Sequence, residues 1–364
     1  MPNARDQGLV DFFESMLEYH DRCAQDLGES RLDFCIAGKP VRIRFAGNSL
    51  QHLARPLAHR TPDATTGEEH PAPLENHPAP LEIFVCGGAS TGMQAPLPPW
   101  QVETVSQDQM HRWRLENGDI LVNHMPAYSF LCLFDCRTQR AVYWVDDVAQ
   151  LPFWEIAAPF LVIFSWWAAG FGGQIAHAAA VGRSGSGLLL VGRGGSGKST
   201  TAAACIDAGM EYVSDDYVLL TSDPDPTAHC LYSSAKLHMH VLHQHFPRWQ
   251  ERVSQQVGPD AKAVFFLQRS CPTQLRDALK ICGIARPTIT QRNESTWVTA
   301  SKSEILLGLG PSTVFQLPAR RQHGLSFLAG LVRQLPSYRL ELGPVHTAAV
   351  AIDDLLVHEA RCAA

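Results

Sequence analysis

The run Gly192-Arg193-Gly194-Gly195-Ser196-Gly197-Lys198-Ser199-Thr200 holds the residue types and spacing that speak most directly of chemistry. It matches, in full, the pattern of a glycine, four residues, then Gly-Lys-Ser/Thr. An apolar segment, residues 188–191, precedes it and a helix-forming run, residues 201–206, follows. Gly192, Gly194, Gly195 and Gly197 let the backbone turn tightly, so that its N–H groups face a phosphate. A helix starting near Lys198 adds the positive end of its dipole. Lys198 supplies a point charge for the β- and γ-phosphates, and the Ser199 hydroxyl can ligate Mg²⁺. Ser196 and Thr200 belong to the same cradle. The expected ligands are ATP and Mg²⁺.

A second element follows sixteen residues after Ser199. Asp215 and Asp216 stand side by side at the end of a short apolar strand. One carboxylate can serve the metal or its water while the other takes a proton from an attacking hydroxyl. If the strand continued through both, their side chains would point to opposite faces. Lys236, downstream in a short apolar context, could neutralise a transferring phosphoryl group. His229, His238, His240, His243 and His245 lie close together, yet no cysteine or carboxylate completes a recognisable metal spacing. The pair Arg320 and Arg321 reads as ordinary helix flanks, and Trp166 and Trp167 as core.

Residues 174–220 resemble the HPr kinase/phosphorylase family. More closely, the chain resembles the HPr-kinase-related serine kinases of bacterial biosynthetic clusters, including those for lasso peptides. The residues that carry this are His177 before the loop strand, the run from Gly192 to Ser199, and Ser214-Asp215-Asp216. The same trio occurs in ATP-dependent phosphoenolpyruvate carboxykinases. Residues 232–237, 262–267, 311–318 and 336–343 are similar to the biosynthetic subfamily. The resemblance implies that Asp215 is the general base toward an acceptor serine and Asp216 the companion acid near the metal. It implies that His177 stands beside the reaction centre, and that Lys198 and Ser199 serve phosphate and Mg²⁺. The Glu-, Arg- and Gly-rich segment of true HPr kinases is absent. Ser234-Ala235-Lys236-Leu237 stands in its place, which points away from HPr as acceptor and from the reverse, phosphorylase reaction.

The elements that must position these groups can be read coarsely. Residues 9–27 carry Leu9, Phe12, Phe13, Met16, Leu17 and His20 at spacings of three and four, an amphipathic helix. Period two then takes over, with a hairpin at 32–45 turning near Gly38, and Asn48-Ser49 cap a short helix to residue 57. A strand is expected at 81–86. Asn117-Gly118 reads as a type I′ turn between strands, and 128–136 pairs with 141–145. The Pro-rich duplication at 70–82 reads as a tolerated loop expansion. No Asp, Glu, Lys or Arg occurs from 156 to 182. Pro159 and Gly170, Gly172 and Gly173 punctuate that run, so a helix over 156–171 and a buried strand over 175–181 are expected rather than a membrane span. The expected fold is an α/β P-loop kinase domain of the HPr kinase/phosphoenolpyruvate carboxykinase type over 146–364, preceded by an α+β, mostly antiparallel N-terminal domain over 1–145.

The chain has 364 residues, 30 Lys+Arg against 36 Asp+Glu and a net charge of -6, which speaks against duplex nucleic acid as the main partner. Hydrophobic residues at 45% and charged residues at 18% exclude wholesale disorder. Ten scattered cysteines without a CxxC pair, and a polar start, suggest reduced thiols in the cytoplasm. The expected function is transfer of the γ-phosphoryl group of ATP to a hydroxyl, most simply a serine of a peptide or protein, with a ribosomally made precursor peptide among the candidates. A small-molecule kinase of the same fold and a nucleotide-gated peptide-binding module that transfers nothing are the alternatives. No membrane partner is expected, and homo-oligomerisation stays open.

Overall fold

The computed structural model describes residues 4–60, 81–88, 92–100, 113–115, 118–257, 262–314 and 321–363. Most of the Pro-rich duplication, Asn117, Arg320 and residues 315–318 lie outside them. The fold is mixed α/β, with three sheets in two compact units: residues 1–55 with 60–170, and residues 56–59 with 171–364.

The first unit is built on a seven-stranded sheet: β1 (Glu29–Ile36), β2 (Lys39–Ala46), β3 (Leu81–Gly87), β4 (Trp113–Leu115), β5 (Ile120–Met125), β6 (Phe130–Asp135) and β7 (Arg140–Val145). Their order is β1-β2-β3-β7-β6-β5-β4, with β2–β3 and β3–β7 parallel and the other pairs antiparallel. The expected hairpin turns at Ala37-Gly38, both in the left-handed region. The helix Ala4–Leu27 lays Phe12, Phe13, Met16 and Leu17 on the sheet face that presents Phe84, Val122, Leu133 and Val142.

The apolar run at 156–171 is not one helix. It forms two, Phe153–Ala157 and Leu161–Gly170, with Phe160 between them at φ 62°. Pro159 has no amide to donate and disfavours helical backbone before it. The second helix buries Val162 through Ala168 against the other sheet face, where Trp166 stacks on Phe134 at 6.4 Å. These contacts set the compact-unit boundary at 170/171 rather than at 145/146. Among the described residues no helix is long and apolar enough to cross a membrane.

The second unit has a nine-stranded sheet: β8 (Gln174–Ala176), β9 (Ala178–Arg183), β10 (Ser186–Val191), β11 (Glu211–Ser214), β12 (Val218–Thr221), β13 (Thr227–Cys230), and, after the small sheet below, β17 (Ala278–Ile289), β18 (Thr296–Thr299) and β19 (Ser337–Leu342). The path runs β11-β9-β10-β17-β13-β12-β8, with β19 between β17 and β18. β10 and β19 run parallel to β17. The helices Lys198–Asp207 and Val345–Ala363 supply apolar side chains to the core on one side of the sheet, and Lys302–Val314 and Arg321–Gln334 to the other. A separate sheet, β14 (Ser234–His238), β15 (Gln255–Val257) and β16 (Lys262–Phe266), has the order β14-β16-β15 and buries Ala235, Leu237, Ala263 and Phe265 in the first of those cores.

The expected single strand over 175–181 is split. β8 pairs with β12 and β9 with β11 in one continuing register: Ala176 opposite Val218, and Ala180 opposite Ser214. Residues 177–179 and 215–217 lie unpaired with one another between these two pairs, and the β9–β11 register shifts once, between Tyr212 and Ser214. The two ends of the sheet path therefore adjoin at this seam.

Candidate active site

The glycine-rich loop leaves β10 at Val191 and enters the helix at Lys198, with Gly197 as its N-cap at φ 101°. The backbone angle favours glycine there, and a Cβ on Gly197 would stand 2.7 Å from Leu342 Cδ1, so that methyl would have to move. Gly192 and Gly195 also have positive φ, whereas Gly194 adopts an ordinary angle in open space. Residues 201–206 are buried and anchor the helix. Its exposed N–H groups and dipole face the loop.

Lys198 is buried, and its ammonium donates to the carbonyls of Gly192 at 2.6 Å and Arg193 at 3.3 Å. Burial lowers its pKa, opposed by the charges of Asp216 and Asp215. A buried ammonium held only by carbonyls, beside the buried and unpartnered Ser196 hydroxyl, fits a polyphosphate. Ser199 and Thr200 are half-buried on the first helical turn.

The acid pair sits just beyond β11, which ends at Ser214, so Asp215 and Asp216 occupy a bend and the opposite-face expectation does not apply. Ser214 Oγ donates to the Tyr217 carbonyl at 2.6 Å and closes the bend. Asp215 is 3% exposed and its Oδ2 accepts the Lys236 amide at 3.1 Å. Burial, then repulsion from Asp216, pushes its carboxyl up to about 6. Asp216 is different. Burial alone would raise it, but the Lys236 ammonium and His177 outweigh burial and hold it well below the usual carboxylate range. Its Oδ1 lies 3.1 Å from His177 Nε2, and its Oδ2 pairs with Lys236 Nζ.

His177 faces Asp216 because the ladder is broken there. Its amide donates to Thr313 Oγ1 at 3.2 Å, its ring lies 5.7 Å from that of Tyr217, and its Nδ1 is buried without a partner. Lys236, on β14, makes its side-chain ion pair with Asp216 and its backbone bond with Asp215. The structure thus joins His177, Asp215, Asp216 and Lys236 in one cluster, within electrostatic reach of Lys198.

The histidine-rich stretch does not continue as a strand. β14 ends at His238 and residues 239–245 form a helix, with the His238 and His240 rings 5.5 Å apart. Among the described residues no group of three or more His, Cys, Asp or Glu side chains could hold a metal. Ser199 and Asp216 are oxygen-bearing side chains that could hold a Mg²⁺ ion, which takes few protein carboxylates beside substrate phosphates.

Two cations were not singled out from the sequence. Arg286, on β17, lies beside the loop: a Cβ on Gly308 would be 3.4 Å from Arg286 Cδ and 3.6 Å from Gly192 Cα. Lys262, on β16, acts electrostatically on Lys198. Neither lies in a motif, and only the β17–β10 and β14–β16 pairings bring them here.

No family model matches the chain, and no curated protein matches its sequence. Among solved structures it is similar to the Hpr(Ser) kinase/phosphatase from Coxiella burnetii, at 13% identity and a TM-score of 0.30, over 52% of this chain and 97% of that one.

Proposed function

We propose that this protein is an ATP-dependent phosphotransferase that moves the γ-phosphoryl group to a hydroxyl, a serine of a peptide or protein. The observation that carries the reading is the pairing of a carboxyl poised near neutrality, Asp215, with a buried lysine on a glycine-rich helix N-terminus, Lys198. A base with its pKa near the working pH is what proton removal from a hydroxyl needs. Residues 192–200 would hold ATP, with their backbone N–H groups toward its phosphates. Ser199 and Asp216 would hold Mg²⁺, which would neutralise charge on the transferring group.

Each side chain then has one task. Asp215 accepts the acceptor's proton. Lys198 and Lys236 face the γ-phosphoryl charge. His177 orients Asp216. Catalysis is mostly positioning and electrostatics. The cytoplasm, where ATP is held, is the fitting compartment, and no disulfide joins any of the ten cysteines.

The test is ATP turnover with radiolabelled nucleotide, with and without serine-containing peptides. Acceptor-dependent label transfer is the expected result. Tight nucleotide binding with no transfer to any hydroxyl would leave only a binding module.

A further inference from the structure

The small sheet has two unlike faces. Ala235, Leu237, Ala263 and Phe265 point into the core. Their neighbours along the strands point the other way, since side chains alternate. Lys236 lies on that outer face, and its ammonium reaching Asp216 shows which way the face looks. His238 is two residues along the same strand, and Lys262 is its cross-strand partner, while Val264 is the partner of Lys236. Lys262 is therefore on the active-site face, one pair further out than Lys236.

Three observations distinguish Lys262 from a surface lysine. It is half-buried. No ion pair or hydrogen bond joins its ammonium to another described residue. Its charge is felt at Lys198, as are those of Asp215 and Asp216. Lys198 has loop carbonyls and Lys236 has Asp216. Among the described residues, none places an anion against Lys262.

We propose that Lys262 binds an anionic group, a carboxylate or a phosphate, carried by the acceptor next to its reacting hydroxyl, so that the substrates are acidic. This rests on the phosphotransferase reading for the acceptor's role, but the charge site can be tested without turnover. An anionic neighbour held there would lie beyond the γ-phosphate, with the hydroxyl between it and Asp215. The other source of such an anion is the nucleotide itself, and the experiment separates the two.

Two fluorescent peptides serve as probes, one with a serine flanked by glutamates and one flanked by glycines. Their binding to the full-length chain is followed by anisotropy with a non-hydrolysable ATP analogue and Mg²⁺ present. Affinity for the analogue is measured separately by calorimetry. The wild type should bind the acidic peptide about tenfold more tightly or better, with a steep salt dependence. Lys262→Glu should abolish that preference, Lys262→Arg should keep it, and analogue affinity should be unchanged in both. Equal binding of the two peptides by the wild type, or binding of neither, overturns the proposal. So does a Lys262→Glu variant whose main loss is in nucleotide affinity, which would make Lys262 part of the ATP site. If the acidic preference depends on Lys262 but no peptide is phosphorylated, the charge site stands and the transfer reading falls.

Discussion

The Lys236 amide donates to Asp215 at 3.1 Å while the ammonium of the same residue pairs with Asp216. One residue of one strand thus touches both carboxylates, with different groups and unequal effects. A neutral N–H offsets little of Asp215's burial, whereas a full charge holds Asp216 ionised. Two adjacent aspartates acquire different acidities in this way, which is what a base beside a metal ligand requires.

Asp215 should show itself in stability as well as rate. Its pKa is raised to about 6 from an ordinary 3.8. Between those values the unfolded chain has lost a proton that the native state keeps, so stability falls as pH rises through this window. Asp215→Asn cannot ionise. It should be more stable than the wild type at about pH 7.5, by on the order of 2 kcal/mol, with no difference below about pH 4. Its transfer rate should fall by roughly 10²–10⁴, and the wild-type rate should rise with pH around a midpoint near 6 that belongs to the pair. Denaturant melts and rate profiles across pH check both. Equal melts at every pH would remove the buried-acid account.

Lys236→Met should leave Asp216 with His177 alone and lower kcat by roughly 10²-fold, the scale of one lost charge-stabilising donor. Lys236→Arg should recover part of it. The backbone bond to Asp215 survives either change, but Lys236→Met removes a charge that lowers the Asp215 carboxyl, so the pH midpoint should move up modestly there and stay put in Lys236→Arg. A large midpoint shift with intact kcat would mean that Lys236 acts on the base and not on phosphate.

Lys198→Ala should abolish transfer with little loss of stability, because it removes a ligand-facing charge. Gly197→Ala should do the reverse in part. Its φ of 101° and the 2.7 Å approach of Leu342 make any Cβ strained, at a cost of about 1–3 kcal/mol. Thermal melts and ATP titrations on both variants separate the two causes. Unaltered turnover in Lys198→Ala would refute the assignment of this loop.

A shortened chain beginning at Phe171 should be more soluble than one beginning at Asp146. The longer piece keeps the helix Leu161–Gly170 but lacks the sheet that buries Phe164, Trp166 and Trp167, leaving an exposed apolar patch. Both fragments lose the Pro56 carbonyl, which accepts from the Ser233 amide at 2.7 Å, so some thermal destabilisation is expected in each. Light scattering and ATP binding on the two fragments decide it. Equal solubility would mean that those two helices do not need their sheet.

The glycine-rich loop was legible because its chemistry is local: four glycines, a lysine and three hydroxyls within nine residues dictate turn, charge and helix start. The hairpin at Gly38 and the amphipathic helix at the N-terminus were legible for the same reason, since turn chemistry and periodicity act over a few positions. The break at His177 was not. Residues 175–181 read as one apolar strand, and only pairing with residues 211–220, whose bend carries Asp215 and Asp216, opens the ladder there. Lys262 and Arg286 carried no local signal either. Their positions follow from which strand lies beside which, and that is set by long-range burial of apolar faces in one core. The sequence by itself determined the glycine-rich loop, its lysine and the helix that follows. Tertiary structure decided which side chains surround that loop, because sheet pairing joins residues whose separation along the chain no short-range preference records.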